Sequence, residues 1–154
     1  MMAFLLALLI GGVAGLRTLT APAAVSWAAH LGWLHLGDTH LAFLGYRWTP
    51  WILTALALAE LVADQLPSTP SRTVPMQFGA RILTGALSGA AIGASSGLLI
   101  VGGIAGIIGA VLGTLGGRAA RARLADAFGK DMQAALVEDA VGVLAAILIV
   151  MAVR

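Results

Sequence analysis

The chain has 154 residues, of which 60% are hydrophobic and 10% are charged. A soluble domain carries about 25% charged residues, so this chain cannot cover itself with a polar surface. The absence of cysteine excludes disulfide frameworks, thiolate metal sites and cysteine nucleophiles. The net charge of +2 comes from scattered basic residues rather than one basic face, so no nucleic-acid partner is expected.

The apolar runs predict a single integral membrane domain over residues 1–154, an all-α, glycine-rich bundle of about five transmembrane crossings. The first run, Met2–Leu34, is too long for one straight crossing. It is expected to break near Pro22, because proline removes a backbone donor. The other four crossings are predicted at about Trp51–Leu66, Met76–Ala94, Leu98–Leu115 and Met132–Val153.

The connectors between these runs indicate an orientation. His35–Pro50 is polar and aromatic, Pro67–Pro75 is a proline-rich loop, and Ser95–Gly97 predicts a tight antiparallel hairpin. Cytoplasmic loops collect arginine and lysine, so the basic segment Arg118–Lys130 is placed inside, and the loop with Arg72 falls on the same side. Five crossings then put the amino terminus in the cytoplasm, although a re-entrant first segment would change the count.

Glycines recur every four residues in two of the predicted helices, where they share a helix face. Such stripes let neighbouring backbones approach closely in lipid, which supplies no hydrophobic drive for helices to associate. We favour static packing over a moving interface, and we expect a homo-oligomer in contact with membrane lipid. The glycines are Gly85, Gly89, Gly93 and Gly97, then Gly102, Gly106, Gly109, Gly113 and Gly117, with Gly11 and Gly15 as a further contact.

Six ionisable residues fall within apolar stretches, where each charge costs at least about 2.5–3.5 kcal/mol unless it meets a partner, water or an ion. They are the candidate ion- or substrate-binding residues. The six are Arg17, Glu60, Asp64, Arg81, Glu138 and Asp139.

The four carboxylates are expected to converge near one end of the bundle. Glu60 and Asp64 share a helix face, and Glu138 and Asp139 begin the last crossing from the same side. Together they are a tentative metal site, since hard oxygen ligands suit a divalent cation, or they share a proton. The alternative is structural: Arg81 pairs with one carboxylate, while the others cap helices or reach the interface.

Two further patterns bear on Arg17. It lies beside the predicted break, where the amino terminus of a half-helix could help to hold an anion. The segments Gly15–Thr20 and Gly79–Thr84 match at four of six positions, which indicates an internal duplication. Because the chain is built largely from a few residue types, chance explains a match of this length equally well.

Three stretches resemble the bacterial membrane proteins of the domain of unknown function 4126 family. They are Gly15-Leu-Arg-Thr-Leu-Thr-Ala-Pro-Ala-Ala24, Leu58-Ala-Glu-Leu-Val-Ala-Asp-Gln-Leu-Pro-Ser-Thr-Pro70 and Glu138-Asp139. The resemblance implies a multi-pass protein of the bacterial inner membrane. It implies no activity, substrate or catalytic residue.

Three functions are compatible with these patterns. The leading hypothesis is a small transporter or channel for a cation or a proton-coupled solute, with a bound cation and no other cofactor. The second is a structural or assembly subunit whose charges lock helices together. The third is a lipid-modifying membrane enzyme, which is the least favoured because no strong catalytic signature is found.

Overall fold

The computed structural model describes residues 1–66, 71 and 73–154, and all regular structure in these residues is helical. The predicted all-α fold is therefore confirmed for this part of the chain. The predicted loop Pro67–Pro75, with Arg72, falls mostly on residues 67–70 and 72, which lie outside the described residues. The described residues form six α-helices, α1 (Met2–Leu16), α2 (Thr20–His30), α3 (Thr49–Ala63), α4 (Pro75–Ala94), α5 (Leu99–Phe128) and α6 (Asp131–Val153), and a short 3-10 helix at Ala42–Gly45.

Helix α5 is much longer than the predicted crossing Leu98–Leu115. It has 30 residues and so extends for about 45 Å, beyond the roughly 30 Å of a bilayer's apolar core. The helix continues because alanine, leucine and arginine, all good helix formers, dominate the sequence after Leu115. It ends at Gly129, whose φ of 69° is a left-handed conformation that favours glycine. The basic segment is therefore mainly helical.

Helices α5 and α6 are the two described helices that are long and apolar enough to cross a membrane. Only 33% of the most apolar window of α5 and 28% of that of α6 is buried within the protein, so most of this apolar surface faces outwards. Helices α1 and α3 are also apolar but have 15 residues each. The total of five crossings stays a prediction.

Glycines bring α1, α4 and α5 into close contact. A Cβ on Gly89 would collide with the carbonyl oxygen of Gly102, and one on Gly85 would lie 2.8 Å from the carbonyl oxygen of Gly106. Later glycines of α4 therefore contact earlier residues of α5, so these two helices are antiparallel. A Cβ on Gly11 would meet Gly106 and one on Gly15 would meet residues near Thr114, so α1 and α5 run parallel.

Replacing Gly106 with alanine should destabilise this three-helix core. The new methyl group would meet backbone atoms of Gly85 and Gly89, which cannot move aside as a side chain can. We expect a loss of about 1–3 kcal/mol in unfolding free energy, the usual cost of overpacking. Thermal unfolding in detergent is the measurement. The matched control is Gly116→Ala in the same helix, where no atom lies within 4 Å of the new Cβ and stability should be kept or slightly raised.

The first predicted segment is broken at residues 17–19, a few residues before Pro22, near which the break was expected. Arg17 has extended backbone angles, with φ −139° and ψ 116°, and α2 begins at Thr20. Pro22 lies in the first turn of α2, where the amide hydrogen that proline lacks would have no partner within the helix. Proline therefore starts the second helix here and does not end the first.

The chain reverses direction at this break. Arg17 pairs with Asp139 of α6 just before α2 begins, and the guanidinium of Arg154 lies 5.6 Å from the ring centre of Trp33 just after α2 ends. Helix α2 therefore runs along α6 in the same direction. Helix α6 follows α5 after the turn at Gly129 and runs back beside it, since Arg121 lies close to Asp131 and Glu138.

Because α1 is parallel to α5, α1 and α2 form a helical hairpin. We call the end that carries Arg118, Arg121, Arg123 and Lys130 the basic end. The hairpin turn lies towards this end, and Met1 lies at the opposite end. The five-crossing prediction placed the amino terminus and the basic segment on the same side, whereas the hairpin places them at opposite ends.

Candidate ion-binding site at the helix break

Arg17 is the centre of the candidate site. It follows α1 directly, and its side chain is fully buried. Its guanidinium forms ion pairs with Asp64, just after α3, and with Asp139 on α6; these two side chains are 15% and 12% exposed. We call Asp64, Arg17 and Asp139 the Arg17 triad. One guanidinium thus holds two carboxylates from two separate parts of the chain.

Glu60 holds the start of α2. Its Oε1 accepts a hydrogen bond of 2.7 Å from the backbone N–H of Thr18, and its Oε2 accepts one of 2.8 Å from that of Leu19. Free N–H groups and the helix dipole make this end of a helix partly positive, so a carboxylate is stabilised there. Because Glu60 and Asp64 are four residues apart in the same segment, both reach the break from one side.

Arg81 holds the end of α1. Its Nη1 donates hydrogen bonds to the carbonyl oxygens of Gly15, at 2.7 Å, and Leu16, at 2.8 Å. The hydroxyl of Thr114 also donates to the Gly15 carbonyl, at 3.2 Å. A cation suits the partly negative end of a helix. Glu60 and Arg81 therefore stabilise the two helix ends that the break creates, each with the charge that its dipole favours.

The charges around the break do not balance. The Arg17 triad, Glu60 and Arg81 together supply three carboxylates and two guanidiniums, which gives these five groups a net charge of −1 when all are ionised. The neighbouring cluster of Arg121, Asp131 and Glu138 carries a further −1. A charge excess is unfavourable where charged groups are mostly buried. One bound proton or one monovalent cation would neutralise the five groups at the break.

Glu138 lies beside the triad but faces a different arginine. Its Oε2 is 3.7 Å from Nη1 of Arg121 on α5, and its side chain is 6% exposed. Arg121 also binds Asp131 through two hydrogen bonds, of 3.0 Å from Nε and 2.7 Å from Nη2. Asp131 and Glu138 are seven residues apart and so share a face of α6.

All six predicted residues lie at or next to the break, in roles that differ in part from those expected. Arg17, predicted near a possible anion site, binds two carboxylates, while Arg81 binds backbone carbonyls. The sequence interpretation overlooked Arg121 and Asp131, because the basic segment was explained by orientation alone. The spacing of Asp131 and Glu138 was the available signal.

The tentative metal ligands are divided among different partners. In the parts of the chain that the structure describes, no three or more histidine, aspartate or glutamate side chains are grouped closely enough to hold a metal ion. Backbone amides, Arg17 and Arg121 take the carboxylates instead. The tentative set was Glu60, Asp64, Glu138 and Asp139.

No protein-family model matches the chain, and no curated protein or solved structure is similar enough to count as a match. The resemblance to the domain of unknown function 4126 family therefore stays a prediction.

Proposed function

We propose that the protein is a small membrane transporter or channel whose transported or coupling ion is the proton, and that the proton binds at the Arg17 triad. The observation that carries this proposal is the fully buried guanidinium of Arg17 between two carboxylates from separate parts of the chain. Because Asp64 and Asp139 share this guanidinium, a proton on either carboxylate would leave one balanced ion pair with Arg17.

Proton binding at the triad would also change how the helices are held together. With both carboxylates ionised, Arg17 ties the segments of Asp64 and Asp139 to the hairpin turn. When one carboxylate is protonated, its ion pair with Arg17 is lost and the other pair remains. A ligand shifts a conformational equilibrium only when it binds the two states differently, and a proton that removes one of two ion pairs meets that condition.

The hairpin of α1 and α2 supports a transport role as well. Transporters commonly bind substrates and ions where helices are interrupted, because half-helix ends offer unpaired backbone groups and dipoles. Here the interruption has charged side chains at both helix ends and the triad beside it. The outward apolar surfaces of α5 and α6 would be covered by lipid.

The proposed orientation of the protein in the membrane is based on the arginine and lysine residues of the basic end. Arginine and lysine collect on the cytoplasmic side of membrane proteins, so the basic end faces the cytoplasm of a bacterial inner-membrane protein. The amino terminus then faces the other side, opposite to the orientation that five crossings predicted. The Arg17 triad lies towards the cytoplasmic half.

The test is proton movement in sealed vesicles. Purified protein is reconstituted with a trapped pH-sensitive dye, the membrane potential is clamped, and a pH gradient is imposed. Vesicles that contain the protein should lose the gradient faster than empty vesicles. Loss at the rate of empty vesicles, with the protein folded, would exclude proton transport.

A structural or assembly subunit is the second candidate, and one observation favours it. All six predicted ionisable residues have bonding partners within the protein, as expected for charges that lock helices together. Under this function the vesicles would keep their gradient, and the charges would matter only for stability.

A further inference from the structure

We propose that the two carboxylates of the Arg17 triad have different roles: Asp64 accepts the proton and leaves Arg17, while Asp139 stays with Arg17 as its fixed counter-charge. This assignment rests on the proposed proton transport and deepens it, because the site alone does not distinguish the two carboxylates. What distinguishes them is the way in which each is attached to the rest of the fold.

Asp139 belongs to a helix that is packed along its length. Helix α6 contacts α5, α1 and α2, and its buried residues run from Ala134 to Val150. The side chain of Arg17 also packs on this helix, since a Cβ on Gly142 would lie 3.6 Å from Cγ of Arg17. Loss of the ion pair with Asp139 would therefore leave Arg17 and α6 close together.

Helix α3, which leads to Asp64, is packed mainly through its amino-terminal half. It contacts chiefly α2 and the 3-10 helix, and its buried residues are Pro50 and Ala57. Nε1 of Trp27 on α2 donates a hydrogen bond of 2.9 Å to Oγ1 of Thr54 in this half. The amino-terminal half is thus a fixed point about which the other end of α3 can move.

The carboxyl end of α3 is attached mainly by charge. Residues 58–63 of the helix include no buried residue, and Val62 is 66% exposed. Glu60 binds the backbone amides at the break, and Asp64, one turn later, binds Arg17. The position of this end therefore depends on its ion pair with Arg17 far more than the position of α6 depends on its own.

Proton binding consequently has different effects at the two carboxylates. When an O–H bond forms on Asp64, the ion pair with Arg17 is lost, and the end of α3 can move until the neutral carboxyl group meets water. A proton on Asp139 would leave a neutral carboxyl group fixed in a packed helix, where a polar group without a hydrogen-bond partner is costly. The possibility of relaxation lowers the free energy of the form that is protonated at Asp64.

The extent of the movement is set by the charges that remain. The described contacts place five charged groups around Asp64, one from each neighbouring element that carries charge there. They are Arg17 after α1, Glu60 on α3, Arg81 on α4, Arg121 on α5 and Asp139 on α6. Glu60 stays on the backbone amides when Asp64 is protonated, so the movement is confined to the end of α3 beyond Glu60.

The test is the distance between two spin labels in the reconstituted protein at high and low pH. The chain has no cysteine, so Val62→Cys at the moving end and Leu144→Cys on the outward face of α6, both exposed, carry the labels. Acidification should change this distance by several ångströms. The control pair Ile52→Cys with Leu144→Cys should not respond, because Ile52 lies in the fixed half of α3. Dilution with the unlabelled natural chain restricts the measurement to distances within one copy.

Two isosteric variants give opposite predictions for the labelled pair at positions 62 and 144. Asp64→Asn lacks the ion pair at every pH, so it should show the low-pH distance throughout. Asp139→Asn leaves Arg17 to Asp64 alone, so it should keep the high-pH distance on acidification. The same response from both variants, or proton flux without label movement, would overturn the assignment and leave the proposed function standing. Label movement in a protein without proton flux would support the role of Asp64 and contradict the proposed function.

Discussion

Replacing Arg17 with methionine is expected to lower the free energy of unfolding by about 3–5 kcal/mol, the cost of removing one partner from a buried ion pair. Methionine keeps much of the length of the side chain, so the loss is mainly one of charge. Asp64 and Asp139 would both lose a buried cation. The measurement is the thermal midpoint by circular dichroism in mild detergent, together with the yield of monodisperse protein.

Two comparisons separate this charge effect from a general loss of packing. Arg47→Met changes an exposed arginine at the opposite end of the bundle and should leave the midpoint almost unchanged. Arg17→Met combined with Asp64→Asn and Asp139→Asn removes the whole triad charge and should regain much of the lost stability. If Arg17→Met alone unfolds at the wild-type temperature, the triad does not hold the helix break together.

Asp64→Asn and Asp139→Asn, tested separately, are expected to reduce proton flux to that of empty vesicles. Asparagine matches aspartate in size and resembles its protonated, neutral form, so each variant should fold with one Arg17 ion pair intact. Neither variant has the excess negative charge that attracts a proton. Asp38→Asn, which removes an exposed carboxylate in the connector before α3, is the control and should transport normally.

The charge-swapped variant Arg17→Asp with Asp64→Arg distinguishes the two candidate functions. It keeps the number and signs of the charges but moves the cation to the other segment. If the charges serve only to hold helices together, the swap should restore the folding and stability that Arg17→Asp alone destroys. A proton site depends on where the cation lies relative to both carboxylates, so we expect the swapped protein to fold better than Arg17→Asp and still to lack flux.

The helix bounds that sequence predicted well are those fixed by local signals. The crossing predicted at Met76–Ala94 corresponds to α4 at Pro75–Ala94, and the one at Met132–Val153 corresponds to α6 at Asp131–Val153. Proline in the first turn of α4 and the left-handed Gly129 before α6 are local signals for the start and the end of a helix. The hairpin of α4 and α5 around Ser95–Gly97 was predictable for the same reason.

The reversal at residues 17–19 could not be predicted in this way. Neither glycine nor proline occurs among the three residues at the break, which are Arg17, Thr18 and Leu19. The break was predicted near Pro22 because proline is the local signal in this stretch. What stabilises the break is Glu60 on its amides and Arg81 on the preceding carbonyls. Both residues come from other helices, so the signal is tertiary and no local pattern carries it.

The sequence indicated which charged residues would have to meet partners, but not which partners they would meet. The cost of placing charges in apolar stretches singled out six residues, and the structure places all six at or next to the break, where the sequence had placed only Arg17. The position of Arg17 relative to the carboxylates depends on the direction of α1 and α2. Because the chain reverses, Arg17 lies near Asp64 and Asp139, and Arg81 lies at the end of α1. A chain that continued in one direction would have separated Arg17 from Asp139.

The most direct test of the central claim is infrared difference spectroscopy on the reconstituted protein between high and low pH. Protonation of a buried carboxylate produces a carboxyl C=O band, and the frequency of this band differs from that of an exposed carboxyl group. We predict such a band in the wild type on acidification, and its loss in Asp64→Asn or Asp139→Asn but not in Asp38→Asn. A wild-type spectrum without a buried carboxyl band, or a band that both triad variants retain, would contradict proton binding at Arg17.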